Sequence, residues 1–421
     1  MRFFIGAFLL LPFGAGAQVY SPKASEYSFT IEARFVSSQN GVRKWRYEAD
    51  RQLAHAFGTF HSPGTISGFG LDPDLIGGIG AIQAPVEYEI KETQAVGNGK
   101  RLVHYEASGK ILLHKTVGER LIASGPLTIP LPLDVFNYYD QACTDEHYHL
   151  PSDFWYFFDV NREGCEYLAK APFADSFSFK IRPSTKRKLD ENLRLDLLRG
   201  NNDNGALFRI DVVHGFSDSS VDPLDMGREG FSSFNEYLIK NGYNEKVLSR
   251  HNNRPLHRYS KSLRLANGKT IEVQINSLLV ESGAGLRTVT FAKFFKEAVQ
   301  SADVVYYTGH SGLGSNLDIA LLEKKAGGFK FNGKKRQIFF FDGCSTYSYY
   351  LDPFRDEKTR ARLDIVTNGL SSLFNTGLTV LSTFLEQLTD PDLNDTTWPA
   401  VLGTIEDQLE GSSYLINVGG I

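Results

Sequence analysis

Two short apolar runs that each stop at a reactive side chain constrain this 421-residue chain more than any other feature. The first is Asp303-Val-Val-Tyr-Tyr-Thr-Gly309-His310-Ser311-Gly312 and the second Gln337-Ile-Phe-Phe-Phe-Asp342-Gly343-Cys344. Runs of this length, rich in Val, Ile, Tyr and Phe and closed by glycine, predict buried parallel strands, which present ligands and catalytic groups at their carboxyl edges. The separation of 34 residues (344 minus 310) leaves room for one crossover, for which Leu317 to Lys325 supplies a short helix. Strands joined in this way are usually neighbours, so one would deliver a histidine beside the cysteine delivered by the other.

A free thiol is mostly protonated at neutral pH, and a cysteine nucleophile therefore needs a base beside it. Either residue alone reads as ordinary structure, since lone cysteines are commonly small core residues and lone histidines satisfied polar groups. Their joint placement points to a dyad of His310 and Cys344. The pattern Tyr307-Thr308-Gly309-His310 with Asp342-Gly343-Cys344 resembles the cysteine peptidases of the caspase, metacaspase and gingipain group over roughly residues 205 to 420. That resemblance implies a caspase-like fold, His310 as general base and Cys344 as nucleophile, with backbone around Ser311, Gly312 and Gly343 supporting an oxyanion. It also implies that Asp342 contributes to the pocket for the substrate residue before the scissile bond, where a carboxylate favours Arg or Lys. Ser311 departs from the group, standing where it has glycine and moving Gly312 one position along. The activity implied is that of an endopeptidase on protein or peptide substrates. It requires no cofactor, although calcium is conceivable for the group. A transpeptidase or amidase would use the same dyad with a different acceptor, and a caspase-like surface or periplasmic binding protein without catalysis is the alternative from another class.

The N-terminus carries the features of an export signal. Met1-Arg2 precedes the apolar stretch Phe3 to Phe13, followed by Ala15-Gly16-Ala17 as a cleavage site, so residues 1–17 are expected to be a signal peptide and the mature chain to start at Gln18. The destination expected is the periplasm or the exterior. No later stretch approaches the roughly 20 apolar residues needed to span a membrane. Oxidising compartments favour cysteine pairing. Of the three cysteines, Cys143 and Cys165 lie 22 residues apart and could form a disulfide, which would leave Cys344 as the free thiol. Removal of Arg2 with the signal changes the balance from 45 basic against 49 acidic residues to 44 against 49, a net charge near −5. No basic tract suggests nucleic acid, and the sequence leaves the oligomeric state open.

Chain length favours two domains. Alternation in Tyr27–Phe35, Val86–Lys91 and Leu102–Glu106, with turns at Asn40-Gly41 and Gly97-Asn-Gly99, predicts an antiparallel sandwich or barrel over residues 26–135. Gly64 to Gly80 reads as a loop, and Phe177–Arg182 as a last strand of this β-rich domain, taken as 18–185. Residues 186–204 read as a linker, with Lys186 to Arg199 helical in character. From 205 to 421, strands at Ala206–Val213 and Lys269–Ile275 alternate with helices at Phe231–Asn241 and Phe291–Gln300. Further helices are expected at Leu363–Asn375 and Gly377–Leu388, and the order as a whole predicts a doubly wound, mostly parallel α/β sheet.

Three other features bear on the site. Gln141-Ala142-Cys143 copies the start of a caspase nucleophile signature, but Thr144-Asp145 follows and no apolar strand leads in. His214-Gly215 ends another strand and would replace His310 as base only if the sheet order placed it next to Cys344. His147 and His149, among carboxylates, would share one face of a strand, yet no second matched pair completes a metal site, and none is assigned.

Overall fold

The computed structural model describes residues 19–138, 140–144, 159–184, 189–199, 206–216, 226–251, 254–281, 288–358, 362–393 and 396–420. The expected signal peptide, His147 and His149 lie outside these residues, as do parts of the expected linker.

The N-terminal half forms a six-stranded sheet from β1 (Ala24–Ser37), β2 (Gly80–Ile82), β3 (Glu87–Gly97), β4 (Lys100–His114), β5 (Leu127–Pro132) and β6 (Ala174–Pro183). Its order is β2-β4-β1-β6-β5, with β3 also on β4, and all these pairings are antiparallel. It is a half-barrel, neither the sandwich nor the closed barrel expected. The curl is held by contacts distant in sequence. Val36 N–H donates to Leu133 O at 2.7 Å, and the Gln52 amide donates to Arg34 O and Pro132 O at 2.8 and 2.6 Å, which draws β5 toward β1 although β6 lies between them. Gln52 belongs to α1 (Val42–Ala54), which is followed by α2 (Ala56–His61) and α3 (Pro63–Gly68); α4 (Lys115–Ser124) follows β4. The described part of the expected linker holds α5 (Leu195–Leu198), and Leu193, Leu195 and Leu198 are buried against the second sheet.

That second sheet comprises β7 (Leu207–Phe216), β8 (Asn244–Ser249), β9 (Leu256–Arg264), β10 (Thr270–Glu281), β11 (Val304–Thr308), β12 (Gln337–Asp342), β13 (Leu363–Asn368) and β14 (Ile416–Gly419). Its order is β14-β13-β12-β11-β7-β10-β9-β8. Parallel pairing runs from β13 through β12, β11 and β7 to β10, and the pairings β13–β14, β10–β9 and β9–β8 are antiparallel. The sheet is therefore mixed, which overturns the expectation of a doubly wound, mostly parallel α/β sheet. The edge strands are what the sequence reading missed. β8 is largely polar and exposed because only one of its edges is paired, so it lacks the apolar run that marks a central strand.

The central strands are short and apolar because both of their faces are covered; every residue of β12 and β13 is buried. On one face lie α6 (Met226–Lys240), α11 (Gly377–Thr389) and α12 (Trp398–Gln408). Val380, Leu381, Phe384, Leu385 and Leu388 give α11 an apolar stripe at helical spacing. The other face packs on α7 (Val289–Ser301), α8 (Ile319–Lys325), α9 (Thr346–Tyr349), α10 (Leu351–Asp356) and the half-barrel, in one continuous core. The entry ends of the central strands are tied by buried ion pairs. Lys335 Nζ lies 2.6 Å from Asp303 Oδ1, and Arg336 lies 2.6 Å from Asp364, which also accepts from Trp398 Nε1.

Breaking one partner of a buried pair leaves the other charge desolvated, so Lys335→Met is expected to lower unfolding free energy by about 3 kcal/mol in urea titrations.

Candidate functional site

Parallel pairing of β11 with β12 sets Thr308 opposite Asp342, so the two chains leave the sheet side by side. Their exits are held close by glycine. The Gly309 N–H donates to Asp342 O at 3.1 Å, and Gly309 has a φ of 147°, which side-chain-bearing residues rarely adopt. A Cβ on Gly343 would stand 2.5 Å from Gly309 O, a distance that no side chain there tolerates.

Beyond these glycines each reactive residue is fixed through its backbone. The His310 carbonyl accepts from Tyr307 Oη at 2.6 Å and Asn316 Nδ2 at 2.7 Å, and the Ser311 carbonyl accepts from Tyr350 Oη at 2.5 Å. Ser311 is buried, and Gly312 opens a single 3₁₀ turn, Gly312–Gly314. Ser345, directly after Cys344, has a left-handed φ of 50°, is fully buried and donates its N–H to Leu370 O at 3.0 Å. A non-glycine residue held there marks a sharp, over-determined turn immediately after the cysteine. Thr346 Oγ1 donates to Phe341 O and accepts from Asn368 N–H, knitting the ends of β12 and β13 together.

One small cleft at the carboxyl edge is lined by His310, Cys344, Asp342, Thr308, Gly309 and Ser372, among others. The structure thus brings His310, Cys344 and Asp342 to a shared cavity, while Ser311, Gly312 and Gly343 are neighbours in sequence that do not line it. The Cys344 thiol donates to Ser372 O at 3.8 Å, and burial pushes it above its ordinary pKa. Asp342 is fully buried, accepts from Tyr306 Oη and Asn368 Nδ2 at 2.9 Å each, and burial raises its carboxyl to about 6.

His214 lies opposite Thr308 across β7 and β11, with the β11 strand between it and Asp342. It is therefore not adjacent to the cysteine strand. Burial lowers its pKa to about 3, so it is a neutral imidazole. Ser372 was not anticipated, because Leu363 to Asn375 reads as helix; the chain instead forms β13 and turns back over the cysteine. The Asn368-Gly369 pair after an apolar run was the signal available. Away from the site, Cys143 and Cys165 form a disulfide inside a small apolar cluster with Tyr138, Val160 and Leu168. Gln141–Cys143 is a 3₁₀ turn in that cluster. Among the described residues no group of three His, Cys, Asp or Glu could hold a metal ion, and no helix is long and apolar enough to cross a membrane. No protein-family model and no curated protein matches the chain.

Folding raises the Asp342 pKa, so the folded state holds its proton more tightly than the unfolded chain, and this carboxyl costs stability as pH rises from about 4 through 6. The difference in unfolding free energy between wild type and Asp342→Asn is expected to move against wild type by about 2 kcal/mol between pH 4 and 7, read from urea midpoints.

Proposed function

We propose that this protein is an exported cysteine endopeptidase acting through Cys344 and His310. The observation that carries the reading is the shared cleft, with both reactive side chains in its walls at the carboxyl edge of neighbouring parallel strands. His310 takes the thiol proton, and the sulfur adds to the peptide carbonyl. The tetrahedral oxyanion is held by backbone amides around Ser311, Gly312 and Gly343. Collapse breaks the C–N bond as His310 returns the proton to the leaving amine. Water, deprotonated by His310, then hydrolyses the thioester and regenerates the thiol. Asp342 in the same cleft supports a basic residue before the scissile bond. The disulfide supports folding in an oxidising compartment outside the cytoplasm.

The resting thiol is protonated and directed at Ser372 O, so attack requires substrate binding to release it toward His310. This resting state also favours a second reading, a binding protein that keeps the fold without the chemistry. Labelling of the oxidised mature protein by iodoacetamide across pH separates the two. For a peptidase, labelling at pH 6 is expected to disappear in Cys344→Ala and to slow at least tenfold in His310→Ala. A thiol that titrates above pH 9 and reacts equally fast in His310→Ala would sink the peptidase and leave the binding protein.

A further inference from the structure

Helix α1 buries Glu48, Ala49, Gln52 and Leu53 and presents Arg43, Lys44, Arg46, Tyr47, Asp50 and Arg51 on the opposite side. Four of these six are bases and one is an acid, in a chain whose formal net charge is −4. Among the described residues none of the four bases forms an ion pair. Lys44 donates to the Gln39 amide oxygen and Arg51 to Tyr47 Oη. The acid of this face, Asp50, accepts from Tyr88 Oη at 2.9 Å, and Asp134 in the turn beside it lies 3.9 Å from Lys100. The bases also stand against the helix that carries them. The first turn of α1 has no acid and its N-cap makes no side-chain hydrogen bond, yet Arg43 and Lys44 sit there, where the helix dipole disfavours positive charge. A cationic face is thus kept at a cost in helix stability.

Large apolar side chains are exposed among these bases. Tyr47 and Phe136 are each 55% exposed and Val42 is 49% exposed. The Tyr47 and Phe136 rings lie 6.5 Å apart, and the Arg51 guanidinium stands 5.9 and 5.7 Å from their centroids, which holds the two rings side by side. Apolar side chains scattered singly over a surface are ordinary, whereas a group of them rimmed by polar residues marks a place of interaction.

We propose that this face is a peripheral docking surface for an anionic phospholipid bilayer. Such a bilayer offers phosphates to Arg and Lys at its surface and, just beneath, an interfacial layer in which aromatic rings with apolar bodies reside. Charge complementarity selects this face. Without the four bases the formal net charge of −4 becomes −8, so the remainder of the chain is repelled by the bilayer that attracts α1, and the two forces together turn α1 toward the lipid. A nucleic acid or acidic polysaccharide would supply the anions but no apolar layer for Val42, Tyr47 and Phe136. The association is peripheral, since no helix among the described residues is long and apolar enough to cross a membrane. It is independent of the chemistry proposed for Cys344.

The test is co-sedimentation of the mature chain, which starts at Gln18 and so lacks the apolar stretch Phe3 to Phe13, with vesicles of phosphatidylcholine alone and of phosphatidylcholine with an equal part of phosphatidylglycerol. Binding to the anionic vesicles is expected to be at least tenfold tighter and to weaken as salt is raised. Arg43→Glu combined with Arg46→Glu should lower it at least tenfold without lowering the urea midpoint, because glutamate at position 43 suits the first turn of the helix. Tyr47→Ser combined with Phe136→Ser, both at exposed positions, should weaken it as well. Equal binding to the two vesicles, binding to neither, or anionic-vesicle binding that survives Arg43→Glu with Arg46→Glu overturns the inference. Binding that needs the bases but is untouched by Tyr47→Ser with Phe136→Ser makes the partner an anionic polymer and overturns the lipid assignment.

Discussion

Burial of β11, β12 and β13 on both faces is the constraint on which the rest depends. A strand covered on both sides has no face for water, so polar chemistry is confined to its two ends. At the entry ends, Asp303, Lys335, Arg336 and Asp364 neutralise one another in pairs, consistent with a purely structural role. At the exit ends the polar groups are not balanced in this way. Asp342 faces neutral donors, His214 has no hydrogen bond among the described residues, and Cys344 leans on a carbonyl. The contrast between a compensated edge and an uncompensated one separates scaffold from candidate site within a single sheet.

The sequence made the central strands and the placement of His310 and Cys344 at their ends legible because both are local features. β7, β11 and β12 announce themselves as apolar runs closed by glycine, and α6, α7 and α11 by apolar residues at helical spacing. β13 was misread for a definite reason: Leu363, Val366, Leu370, Leu373 and Phe374 fall at three- and four-residue intervals that mimic an amphipathic helix. Helix α1 was hidden by the Asn40-Gly41 turn signal, although Trp45, Ala49 and Leu53 lie on one helical face. The half-barrel curl could not be read at all, since it depends on Gln52 reaching residues 18 and 80 positions away. For the same reason the row of His214, Thr308 and Asp342 was invisible, because register is set by long-range pairing and not by any motif.

Positioning at the site acts mainly through backbone. Tyr307, Asn316 and Tyr350 grip the carbonyls of His310 and Ser311, and Ser345 holds the turn after Cys344 in a conformation few side-chain-bearing residues adopt. A loop fixed by three side-chain donors has little freedom to wander. Reactive residues on such loops gain the precision usually associated with regular elements. The Ser311 position illustrates this, for its serine is accommodated by burial beneath Tyr350 and not by the freedom that a glycine would have brought.

The half-barrel is part of this arrangement. The Ala84 N–H donates to Ser348 O, Tyr347 Oη donates to Glu26, and the Gln83 amide donates to Asp352, so the short helices that follow Cys344 are clasped by the opposite half of the molecule. Those contacts continue an apolar core that runs without interruption from Phe29 and Leu112 to Phe341 and Phe354. The cysteine turn is therefore braced from two directions, like a keystone between unequal arches. Any displacement of it must either slide against the half-barrel or carry the half-barrel along, which makes the N-terminal half a mechanical component of the site and no mere passenger.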